Sequence, residues 1–167
     1  MIIYLYSMES FIYADLNKAC RNKDTKKIRY YGAFSAALSF IIDNANRKLN
    51  KTAPNKSKNM LYRGIKLTPD EANGYIVGNK THLTGYTSTS RFLGVALGFA
   101  FMEQSEYSIP VVLEIDFQKD TGFFELTEEF TAYPEEAEVL VQDGLEYLVV
   151  SNTEQEESET KQKYRLI

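Results

Sequence analysis

The chain has one cysteine, one histidine, no tryptophan and 4 prolines in 167 residues. A lone cysteine, Cys20, rules out an intrachain disulfide and argues against a thiolate zinc site, so no metal is expected. It agrees with a reducing compartment. With His82 the single histidine, any Ser–His or Cys–His nucleophilic pair would have to use that residue. A basic excess is also missing: 19 Lys and Arg stand against 23 Asp and Glu, a net charge of -4. Nucleic-acid binders generally need the reverse balance to offset phosphates, so none is expected as a partner. No apolar run approaches the roughly 20 residues that cross a bilayer. The apolar start, Met1 to Ser7, lacks the basic n-region and the length of a signal peptide. No Gly-x-Gly-x-x-Gly follows a strand, which removes support for a Rossmann-type dinucleotide site. A cytoplasmic monomer with no membrane partner is the expectation.

What is present is the material of a globular protein. Hydrophobic residues make up 44% and charged residues 25%, enough for one core at this length. Residues 1–167 therefore read as a single domain. The bare apolar start and the strand-like end, Tyr164-Arg165-Leu166-Ile167, suggest a piece of a longer chain. The 12 Tyr and 10 Phe favour sheet, because aromatic side chains suit a pleated surface.

Periodicity places two helices first. Ile12, Leu16, Ala19 and Cys20 share one helical face, and Phe34, Ala37, Leu38, Ile41, Ile42 and Ala45 form a cleaner stripe. Asn22 to Asp24 and Gly32 are the breaks between them. Arg47 to Asn59, Lys-rich and containing Pro54, reads as a surface loop. Strands follow, the first beginning at Met60 to Arg63. Thr68-Pro69-Asp70-Glu71 then carries a capping-box signature with proline at the first helical position, and Gly74 and Gly78 keep that helix short. Thr81 to Ser88 reads as a strand. Ser90 is placed as the cap of a helix with Phe92, Val95, Ala96, Phe99 and Ala100 on its apolar stripe.

Val111, Leu113, Ile115 and Phe117 alternate with Val112, Glu114 and Asp116, a half-buried strand. Phe123 to Leu126, Ala137 to Val141 and Leu145 to Val150 read as further strands. Gln142-Asp143-Gly144 is a turn, and Thr153 to Lys163 reads as the loop of a last hairpin. Helices followed by strands indicate an α+β fold with N-terminal helices on a mixed, mainly antiparallel sheet core.

Three polar motifs stand at strand ends: Leu61-Tyr62-Arg63-Gly64, Gly85-Tyr86-Thr87-Ser88-Thr89-Ser90, and Glu135-Glu136-Ala137-Glu138-Val139-Leu140. Singly, each has an ordinary reading: a solvated arginine, a helix cap, an acidic edge. One detail weighs against the last of these. Glu136 and Glu138 stand two apart at the start of an apolar strand, and alternation puts both on one face of it. Two carboxylates there repel unless a cation lies between them, and paired carboxylates around a glycosidic bond are a known solution.

In this order the motifs resemble the arginine–serine–glutamate class of mono-ADP-ribosyltransferases, which includes vertebrate arginine-specific ectoenzymes and bacterial binary toxins. Arg63 matches the first-strand arginine, Ser88-Thr89-Ser90 the Ser-Thr-Ser motif, and Glu136-Ala137-Glu138 the Glu-x-Glu motif. Ala96-Leu97-Gly98-Phe99-Ala100 is similar to the helix after the Ser-Thr-Ser strand. Tyr6-Ser7, Tyr13 and Asn17 are similar to the N-terminal helical region. The resemblance implies the two-sheet fold of the family, NAD as co-substrate and a protein arginine as acceptor.

The implied roles follow the motifs. Arg63 would hold a phosphate of the dinucleotide, its fork matching phosphate oxygens. The Gly64 backbone would receive the nicotinamide carboxamide. Ser88 would hold Glu138, while Thr89 and Ser90 shape the floor of the pocket. Glu138 would stabilise the ribosyl cation as nicotinamide leaves, and Glu136 would orient and help deprotonate the acceptor guanidinium. Glutamate at that position goes with arginine acceptors. Tyr133 would contact the acceptor or pack as a turn residue beside Pro134. Phe92 is assigned to the core, ahead of a place over the nicotinamide ring. His82 is expected in a strand and Cys20 in the core. Two other readings stand beside this one: an NAD glycohydrolase on the same fold, with water as acceptor, and a non-catalytic NAD- or protein-binding module. A glycosidase would leave Arg63 and the Ser-Thr-Ser motif unexplained.

Overall fold

The computed structural model describes residues 2–8, 11–49, 60–102, 106–117 and 122–167. The N-terminal region forms α1 (Ile2–Ser7), α2 (Phe11–Arg21), α3 (Thr25–Tyr30) and α4 (Gly32–Leu49). Four helices replace the expected two. The break at Asn22 to Asp24 is itself a helix start, because the Asp24 side chain accepts from the Lys26 and Lys27 amides and satisfies two amides that the first turn leaves open. Lys23 reaches that geometry with a positive φ of 52°. The backbone of α4 runs on to Leu49, past Arg47 where a loop was expected, since Arg, Lys and Leu are good helix formers. The rest of that expected loop, residues 50–59, lies outside the described residues.

After it come β1 (Met60–Leu67), α5 (Pro69–Asn73), β2 (Lys80–His82), β3 (Thr87–Ser90), α6 (Leu93–Phe101), β4 (Ile109–Asp116), β5 (Phe123–Glu125), β6 (Glu138–Val141), β7 (Glu146–Leu148), β8 (Thr153–Glu156) and β9 (Lys163–Leu166). The capping box at α5 is complete. The Glu71 amide donates to Thr68 Oγ1 at 3.2 Å, and the Thr68 amide donates to the Glu71 carboxylate at 2.8 Å. The expected strand from Thr81 to Ser88 is two strands. Gly85 between them has φ +86°, a left-handed conformation that ends extended pairing and favours glycine. The polar stretch from Thr153 supplies a strand as well as a loop: β8 pairs antiparallel with β9, Glu154 opposite Arg165 and Glu156 opposite Lys163.

The chain divides into two compact units. One comprises Met1–Lys58, Leu83–Ser88 and Gln118–Leu145, the other Asn59–His82, Thr89–Phe117 and Glu146–Ile167. In the first, β5 pairs antiparallel with β6, and β6 neighbours β3. Its core joins Ile3, Tyr6, Leu16, Leu38 and Ile42 of the helices to Tyr86, Phe124, Leu126 and Leu140. In the second, β1 pairs antiparallel with Ser90 of β3 and along its whole length with β4. There β4 pairs parallel with β9, and β2 and β7 form a separate two-stranded sheet. The strand order is β5-β6-β3-β1-β4-β9-β8, and β3 passes from one unit to the other. The architecture is α+β, with a mixed, mainly antiparallel seven-stranded sheet and a two-stranded one.

Candidate active site

Arg63 and Gly64 lie in the second unit, opposite Leu113 and Val112 of β4. A Cβ added at Gly64 would stand 1.8 Å from the Ala96 carbonyl oxygen and 2.7 Å from the Ala100 amide nitrogen. The backbone of α6 therefore demands glycine here whether or not a ligand does. Tyr62, two residues before Gly64, packs against the cluster of Ala96, Ala100 and Val112. Alternation then turns Arg63 to the opposite face of β1. The Tyr75 phenol lies within the field of that guanidinium. Burial pushes the phenol up, and Arg63 pulls it the other way. The backbone at Tyr75 is tethered, because Asn152 Nδ2 donates to the Ala72 and Tyr75 carbonyls at 2.9 Å each. Arg165 of β9 donates to Asn152 Oδ1 at 3.2 Å. Sequence reasoning passed over Tyr75, since nothing local marks a tyrosine after a short helix as a neighbour of Arg63.

Thr89 and Ser90 also lie in the second unit, both buried. Ser90 Oγ accepts from the Phe92 amide at 2.9 Å. This is not the expected cap: α6 starts at Leu93, its cap position is Phe92, and no side chain caps it. Ser90 bonds in the turn just ahead of the helix. Phe92 is 57% exposed, which overturns its assignment to the core. At the cap position it precedes the buried stripe of α6, whose inward residues are Ala96 and Ala100.

The first unit holds Ser88, Tyr133, Glu136 and Glu138. Glu138 opens β6, is 6% exposed, and its carbonyl accepts from the Leu126 amide at 2.9 Å. A carboxylate so far out of water is retained where hydrogen bonds or opposite charge support it. Ser88 is half-buried on β3, the strand beside β6. Glu136 is not in a strand. It ends a 3-10 turn, Pro134–Glu136, and Ala137 then takes the left-handed conformation, φ 44° and ψ 50°. Glu136 and Glu138 therefore do not share a strand face, contrary to the expectation from alternation. A reversal of the backbone separates them: one stands on a half-buried turn, the other is buried at the head of a strand. Tyr133 heads that turn, 41% exposed. Its amide donates to the buried Thr131 Oγ1 at 3.0 Å, and its carbonyl accepts from the Glu136 amide at 3.1 Å.

The remaining sites considered from sequence are ordinary. His82 is an exposed residue of β2, with Nε2 3.7 Å from Glu146, and Lys80 pairs with the same carboxylate at 2.6 Å. Cys20 is half-buried against the core of the first unit, and burial pushes its thiol up. Among the described residues no group of three or more His, Cys, Asp or Glu could hold a metal ion, and no helix is long and apolar enough to cross a membrane.

The fold is that of solved ADP-ribosyltransferases. The structure is similar to that of Vis toxin, an ADP-ribosyltransferase from Vibrio splendidus, with a TM-score of 0.64 and 20% identity over 99% of this chain and 69% of that one. It is similar to exoenzyme S from Pseudomonas aeruginosa, solved with human 14-3-3 protein beta and carba-NAD, at a TM-score of 0.59 and 19% identity over 99% and 70%. It also resembles C3stau2 from S. aureus, solved with NAD, at 0.56 and 18% over 99% and 83%. No curated protein sequence matches it significantly. The family model described as NAD:arginine ADP-ribosyltransferase matches residues 1–164, and the chain belongs to that family.

Proposed function

We propose that the chain is an NAD-dependent protein-arginine mono-ADP-ribosyltransferase. The observation that carries this reading is the burial of Glu138 at the head of β6, the neighbour of the strand bearing Ser88. In this reading Glu138 bonds the 2′-hydroxyl of the nicotinamide ribose and faces the positive charge that grows on the ring as the glycosidic bond breaks. A charge already fixed in place stabilises that transition state without reorganising. Nicotinamide leaves neutral, so its departure needs no general acid. Ser88 holds the Glu138 carboxylate in position.

Arg63 grips the dinucleotide phosphates with its planar fork. Thr89 and Ser90 shape the ground below, and the Gly64 backbone meets the carboxamide. Phe92, exposed two residues after Ser90, is suited to lie over the nicotinamide ring. Glu136 orients the acceptor guanidinium and helps remove its proton, since a protonated guanidinium is a poor nucleophile. Its place on an accessible turn, beside exposed Tyr133, fits contact with a protein acceptor.

The test is NAD consumption with and without agmatine as a free arginine analogue. Glu138→Ala should lower nicotinamide release by about 10²–10³, the usual loss for a preorganised electrostatic partner. Labelling of agmatine that survives Glu138→Ala would count against the mechanism. Glu136→Gln should abolish transfer to agmatine and keep hydrolysis to free ADP-ribose; equal loss of both would remove Glu136 from its role. Release of nicotinamide by the parent chain without any transfer would favour the glycohydrolase.

A further inference from the structure

Tyr86 lies two residues before Ser88 and is 3% exposed. Its hydroxyl donates to the Ser35 carbonyl at 2.7 Å and lies 3.0 Å from Ser35 Oγ and 2.6 Å from Ser39 Oγ. With its single proton used on the carbonyl, the phenol oxygen is the acceptor for both serine hydroxyls. Burying a tyrosine requires one hydrogen bond. Here three polar groups of α4 converge on one oxygen, which fixes where the ring ends as well as satisfying it.

The backbone around Tyr86 is held on its other sides. Tyr6 of α1 donates to the Tyr86 carbonyl at 3.1 Å, and Asn17 of α2 donates to the Tyr6 hydroxyl at 2.6 Å. The Gly85 amide donates to Asp143, in the turn that follows β6. A Cβ at Gly85 would come within 2.5 Å of Asn17 Oδ1. The approach to β3 is thus tied to α1, α2, α4 and the turn after the strand that carries Glu138.

We propose that Tyr86 is a positioning residue: its phenol, held by Ser35 and Ser39, sets the height of β3 so that the Ser88 hydroxyl is presented to β6 where Glu138 begins. This rests on the roles given above to Ser88 and Glu138. Tyr86→Phe keeps the ring and removes only the tie. It should lower kcat for nicotinamide release about tenfold, the scale of one buried hydrogen bond, and leave KM for NAD within about twofold. Amide exchange at Thr87 and Ser88 should quicken while that of β4 stays as in the parent. Ser39→Ala should act in the same direction, and the double variant should lose less than the sum of the two.

An unchanged kcat, or a fall in kcat matched by a rise in KM, would overturn the proposal. So would exchange that quickens equally throughout the chain. If the parent protein does not cleave NAD, the function proposed above falls. The exchange at Thr87 and Ser88 then decides the clamp alone, and protection unaltered in both variants would end it.

Discussion

In the first unit, β6 is held by large side chains. Leu140 is fully buried among Ile3, Tyr6, Leu16, Leu38 and Ile42 of the helices. In the second, β1 meets the α6 backbone directly at Gly64. Gly64 faces the Ala96 carbonyl and the Ala100 amide directly, with Val112 beside them. The strand bearing Glu138 is thus supported by volume, and the strand after Arg63 by the absence of volume. Dense interiors resist both removal and addition of atoms, and the two regions put one protein on each side of that rule.

The contrast can be broken from either end. Leu140→Ala should cost about 2–5 kcal/mol, since the aliphatic cluster loses both transfer energy and contacts around a cavity. Chemical denaturation would show it as a lower midpoint, and a loss under about 1 kcal/mol would mean that the helices collapse onto the space. Gly64→Ala adds one methyl and should cost about 1–3 kcal/mol by forcing α6 away from β1. Tyr62, packed against the cluster of Ala96, Ala100 and Val112, should then show the change in near-ultraviolet circular dichroism. A thermal midpoint equal to the parent's would refute the close approach.

The smallest effect lies in the second unit, in the turn between β8 and β9. There Glu157 accepts from the Glu159 and Thr160 amides and from the Thr160 hydroxyl. The Thr160 amide bond, followed by that of Glu159, draws the Glu157 carboxyl down to about 2 from the ordinary value of 4.5. A depressed carboxylate stabilises the turn fully above the unfolded value, and that support drains away as pH falls through about 2. Proton-carbon NMR titration of the Glu157 side chain should show this, with the Thr160 amide shift moving in step. A Glu157 midpoint near 4.5 would show the turn bonds to be absent in solution.

Legibility followed the range of the interactions. The capping box at Thr68, the alternation of β4 and the Asp-Gly turn after β6 depend on neighbours a few residues away, and the sequence displays them. Asp24 was legible as a break but not as a cap that starts a third helix. Glu136 was misplaced because alanine rarely takes a left-handed conformation, so nothing warned that Ala137 would divide it from the strand. Phe92 fitted a helical stripe on periodicity alone, yet α6 starts one residue later. The hydroxyl contacts of Tyr86 join residues 47 and 51 apart in sequence, a separation at which no local pattern survives.

The residue types alone determined the order of helices and strands, the family-like motifs and their spacing, because those rest on period, cap and turn chemistry. Tertiary structure decided which carboxylate is buried and which stands on a turn. It also decided that Gly64 answers to a helix backbone and that Tyr86 is bound by α4. Such features depend on which distant atoms meet in space, and that is fixed only when the whole chain packs.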